Sequence, residues 1–73
     1  MTGSHHRSLL TNREREIFAL LLAEKTTRDI AEQLGISEKT VRNHISNTIQ
    51  KLGVTNRSQA LIELLRLEEF KLD

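Results

Sequence analysis

The 73-residue chain has no cysteine, proline, tryptophan or tyrosine, and only two phenylalanines and three glycines. The lack of cysteine excludes a disulfide framework and fits a reducing compartment. No apolar run approaches the roughly 18 residues of a membrane span, and no signal-peptide core is present. A soluble protein that stays in the cytoplasm where it is made is therefore expected. Catalysis is not expected either: there is no phosphate-cradling glycine loop, and beyond the N-terminal arm only one histidine, His44. No cofactor, metal-ligand cluster or small-molecule ligand is indicated. A chain this short, with neither disulfide nor metal, must rely on helix packing or on pairing with another copy.

What remains is rich in helix formers and unevenly charged. Residues 1–35 carry balanced charge, residues 36–58 carry a net +3 from Lys39, Arg42, Lys51 and Arg57 against Glu38, and residues 59–73 carry −2. The first eight residues, MTGSHHRS, lack periodicity and read as a mobile arm, with Gly3 to His6 resembling the remnant of an expression tag. Residues 9–73 form the domain. Capping-box spacing at Thr11 and Glu14 opens a helix over about 12–24, carrying Ile17, Phe18, Leu21 and Leu22 on one side. Thr26 with Asp29 opens a second helix, stopped by Gly35. Ser37 caps a third over 38–52, ended by Gly53, and Asn56 with Gln59 starts a fourth over about 57–69. No segment alternates with strand period. The expected fold is all-α: a compact four-helix domain containing a helix-turn-helix.

The third helix carries the function. At 100° per residue, Val41, Ile45, Thr48, Ile49 and Leu52 fall on one buried stripe. The opposite arc holds Lys39, Arg42, Asn43, Ser46, Asn47 and Gln50, with no carboxylate. Glu38 lies near the apolar edge of the first turn, where the helix dipole favours it. Arginine can bond guanine bidentately and asparagine can do the same with adenine, so this face suits the major groove of double-stranded DNA. Ala31 permits close helix approach, Gly35 supplies a positive φ, and Ile36 and Val41 fill the angle between the two helices. Where a generic helix-turn-helix has an apolar residue, this chain has His44; a packing or hydrogen-bonding role fits its position at the edge of the stripe. Thr11, Arg13, Glu14 and Arg57 read as structural. Glu14 completes the first cap, pairs with Arg57, or does both.

The segments LTNRERE at 10–16, DIAEQLGISEKTVRNHISNTIQKLGV at 29–54 and NRSQA at 56–60 resemble the LuxR-type DNA-binding domain over about 60 of the 73 residues. The resemblance implies a four-helix effector domain that binds inverted half-sites as a homodimer, with the third helix in the major groove. The wording is similar to free-standing members of that family, which implies a regulator of late sporulation and spore-coat genes. Carried over by position, the base-reading slots fall at Arg42, Asn43 and Ser46. The phosphate slots fall at Lys39, Thr40, Asn47 and Lys51, with Arg28 on the second helix.

On the fourth helix, Ala60, Leu61, Leu64 and Leu67 should close the core. Ile62 and Leu65 lie on another side, with Glu69 and Phe70 beyond them. That second stripe is the expected dimer interface. The leading reading is a sequence-specific transcription regulator, acting as activator, repressor or both, with RNA polymerase as a possible further partner. Two alternatives stay open: a promoter-binding module similar to region four of sigma factors, and a protein-interaction domain binding an acidic partner.

Overall fold

The computed structural model describes residues 10–67, and all statements of structure concern these. Four helices follow one another through short turns: α1 (Asn12–Leu22), α2 (Thr27–Leu34), α3 (Glu38–Leu52) and α4 (Arg57–Arg66). No strand occurs among the described residues.

Each helix begins where a side chain can serve orphan backbone donors. Thr11 accepts from the Glu14 amide at 3.1 Å, and the Glu14 carboxylate accepts from the Thr11 amide at 2.9 Å. Thr26 and Asp29 repeat that reciprocal box on α2. Ser37 accepts from the Thr40 amide and Asn56 from the Gln59 amide. Caps of this kind stabilise a helix by about 1 kcal/mol each. The Gln59 side chain departs from the box pattern: it accepts from the Thr55 amide and hydroxyl instead.

Helix ends agree with expectation at Gly35 and Gly53, which adopt φ of 70° and 71°. At Gly35 the amide of the following Ile36 donates back to the Ala31 carbonyl, which sharpens the turn into α3. Helix α1 ends at Leu22 rather than at 24. The reason is Glu24, at φ 65°, a left-handed conformation usually given to glycine. The amides of Glu24 and Lys25 turn back onto the carbonyls of Leu21 and Leu20 and close the helix. Helix α4 ends at Arg66 with Leu67 as its cap; the rest of its expected span, 68–69, lies outside the described residues.

Helix α3 is central and packs against each of the other three. Val41, Ile45 and Thr48 are buried, and Ile49 and Leu52 are half-buried, as the periodicity predicts. They meet Ile17, Phe18 and Leu21 from α1, Ile30 and Ala31 from α2, and Ala60 and Leu64 from α4. The one alcohol in this core, Thr48, donates to the His44 carbonyl at 2.9 Å, so its burial leaves nothing unsatisfied. With its inner face held on three sides, α3 presents its outer face as a rigid rod about 22 Å long.

Candidate nucleic-acid interface

The outer face of α3 is open to solvent along its length. Lys39, Arg42, Asn43, Ser46, Asn47 and Gln50 are all exposed, and Thr40 is half-buried with its hydroxyl against that of Ser37. The expected base-reading residues therefore share one surface. Arg42 leans back onto Glu38, one turn earlier, at 3.4 Å. On α2, Arg28 pairs loosely with Glu32 at 3.8 Å, both side chains being more than two-thirds exposed. Exposed pairs of this kind contribute about 0–1 kcal/mol and are screened by salt, so neither arginine is withdrawn from other anions.

Lys51 has a different environment. Its Nζ donates to Glu14 Oε1 at 2.6 Å, joining α3 to α1 across 37 positions of sequence. The Glu14 side chain is only 6% exposed and also carries the α1 cap. Burial pushes its carboxyl up. The Lys51 hydrogen bond, the Thr11 amide and the charges of Lys51 and His44 outweigh that push, and the group settles below its ordinary value of 4.5. The expected partner of Glu14 was Arg57; the structure gives it Lys51, because α1 crosses α3 near its C-terminal turn. Glu14 thus both caps and pairs. Lys51, placed by the resemblance among the phosphate slots, spends its ammonium on the scaffold.

Arg57 is released by that arrangement. It stands at the first position of α4 with no partner among the described residues. With Thr27, Arg42, Ile45 and Ser46 it lines a groove of about 380 Å³ beside the outer face of α3. Sequence reasoning counted Arg57 in the basic segment but gave it to the scaffold.

On α4, Ile62 is 64% exposed, the one large hydrophobic side chain so placed among the described residues, and Leu65 is half-buried three positions on. Between them Glu63 pairs with Arg66, which lowers the carboxyl and raises the guanidinium. The other two residues of the expected interface, Glu69 and Phe70, lie outside the described residues. No helix among these residues is long and apolar enough to cross a membrane.

Residues 8–64 match the family model of bacterial regulatory proteins of the luxR family. The chain belongs to the luxR family. It is similar to the spore germination protein GerE of Bacillus subtilis (strain 168), with 65% identity over 66 residues, which are 90% of this chain and 89% of that protein. The structure of the transcription factor GerE superposes with a TM-score of 0.87 at 73% identity, covering 92% of this chain and all of that one. The transcriptional regulatory protein DegU of Brevibacillus brevis is 47% identical over 58 residues, 80% of this chain but only a quarter of its own length. The chain is thus a LuxR-family DNA-binding transcription regulator and a homologue of GerE, not an enzyme.

Proposed function

We propose that the chain binds inverted half-sites in duplex DNA as a homodimer, with α3 in the major groove, and regulates genes of late sporulation and the spore coat. The observation that carries this reading is the outer face of α3, where six consecutive outward positions are polar or basic and exposed. Arg42, Asn43 and Ser46 read base edges. Lys39, Thr40, Asn47 and Arg28 hold phosphates, with Lys51 left to the scaffold. Ile62 and Leu65 centre the two-fold contact, which Glu69 and Phe70 extend. Half-site centres then lie about 34 Å apart, or a multiple of that, on one face of the duplex. The sporulation role is supported by the similarity to GerE over nearly the whole of both chains. Activation at some promoters proceeds through contact with RNA polymerase, and the protein works at the nucleoid, in the cytoplasm.

Selection from random duplexes tests this. The wild-type protein should enrich an inverted repeat. A Leu65→Glu protein should sediment as a monomer and bind the repeat much more weakly. A Leu65→Glu protein that remains dimeric would refute the interface. Salt-sensitive general binding without an enriched site would favour a module that works inside polymerase or on an acidic partner.

A further inference from the structure

We infer that the groove between α2, α3 and α4 is a backbone-phosphate site in which Arg57 of α4 grips the DNA strand bordering the recognition helix, with Arg42 of α3, the base-reading arginine, adding its positive charge from the facing wall. This rests on the proposed placement of α3 in the major groove and adds to it a contact from α4, the helix otherwise given to dimerisation.

The groove is lined by Thr27, Arg42, Ile45, Ser46 and Arg57. Two guanidiniums from different helices thus face one space. Among the described residues only Arg42 has a carboxylate partner, Glu38, and that pair is exposed and weak. The Thr27 hydroxyl has no partner among the described residues. Ile45 supplies an apolar floor and is 7% exposed. Thr27 and Arg57 are also the first residues of α2 and α4. The caps at Thr26 and Asn56 are spent on the amides of Asp29 and Gln59, so the first amides of both helices stay free for an acceptor.

Geometry selects the phosphate backbone over a base edge. The major groove is about 12 Å wide, and a helix with its side chains fills it. Elements packed beside that helix at about 8–10 Å between axes then lie over the sugar–phosphate strand. Thr27 and Arg57 occupy that flank, and Arg42 and Ser46 connect it to the reading face. The adjoining groove, which shares Thr27 and Arg57, adds Glu24 as well as Lys25, so a carboxylate offsets part of its positive charge, whereas the Arg42 side is lined by two guanidiniums and no carboxylate, and the anion belongs there.

The test compares wild type, Arg57→Ala and Arg57→Lys on the duplex selected by the wild type and on a random duplex, across a salt series. Arg57→Ala should weaken both complexes alike, by about tenfold per protomer for one charge-assisted contact. It should make the slope of log K against log salt shallower by about 0.9 per protomer and leave the preferred sequence unchanged. Arg57→Lys should recover the slope. A wild-type slope in Arg57→Ala, or a loss confined to one sequence, overturns the site while leaving the DNA reading intact. A lowered melting temperature with an unchanged slope also overturns it, by assigning Arg57 to packing. Wild-type protein without salt-dependent duplex binding overturns both.

Discussion

Among the described residues helix α3 makes two ion pairs, and they differ in nearly everything except chemistry. Near its end, Lys51 meets Glu14 at 2.6 Å across 37 residues, and the carboxylate is buried and held by the α1 cap. Near its start, Arg42 meets Glu38 at 3.4 Å within one turn, and both groups are substantially exposed. In water such an attraction is worth only about 1 kcal/mol, and screening reduces it further. A buried carboxylate with several donors is another matter: removing its partners strands a charge away from solvent. Two basic residues on one helix thus have opposite assignments. Lys51 fixes where α3 sits, and Arg42 stays available to whatever approaches the outer face.

The largest effect should come from breaking the buried pair. Glu14→Ala should cost about 2–3 kcal/mol in urea unfolding, since it removes the carboxylate half of the capping box and the Lys51 contact together. Lys51 is about one-third exposed and can regain water, which keeps the cost from being larger. The pair also sets a pH signature. Because the folded Glu14 carboxyl lies below its ordinary 4.5, its contribution is fully present above that value and is lost as pH falls through the depressed one. Unfolding midpoints measured from pH 6 down to pH 3 should fall less steeply in Glu14→Gln than in wild type. Identical pH curves would mean that the pair contributes nothing.

Next in size is the exposed pair, where the effect appears in binding. Arg42→Ala should leave stability within about 0.5 kcal/mol of wild type. It should remove about 1–3 kcal/mol of discrimination at one base pair of each half-site. A matching loss of stability would erase the contrast between the two pairs.

The smallest effect sharpens the comparison. Glu38→Gln removes a negative charge beside Arg42 and should tighten binding to random duplex by about threefold, consistent with the low value of exposed pairs. Filter binding at low salt would register it. No gain would show that Glu38 does not restrain Arg42.

Local chemistry was legible in the sequence wherever neighbours in the chain decide the outcome. Four caps, two glycine stops and the inner stripe of α3 all depend on residues within a turn or two, and each lies where spacing places it. Glu24 was not legible, because a charged side chain gives no sign of a left-handed turn; the turn is imposed by how α1 must end before α2 begins. Nor was the partner of Glu14. Choosing Lys51 over Arg57 requires the crossing of α1 and α3, which no periodicity encodes. The groove that Arg57 lines was hidden for the same reason, since it appears only once three helices are packed. For the interface on α4, half of the expected residues, Ile62 and Leu65, fall within the described structure, and Ile62 is exposed there.

The most direct test of the division along α3 is an NMR titration of isotope-labelled protein with the duplex it selects. Resonances of Arg42, Asn43, Ser46 and the Arg57 side chain should shift or broaden on binding. The Lys51 ammonium and the Glu14 carboxyl should keep their free-state signals. Loss of the Lys51–Glu14 signature on DNA binding, with the outer face unperturbed, would contradict the assignment of one end of α3 to the scaffold and the rest to the groove.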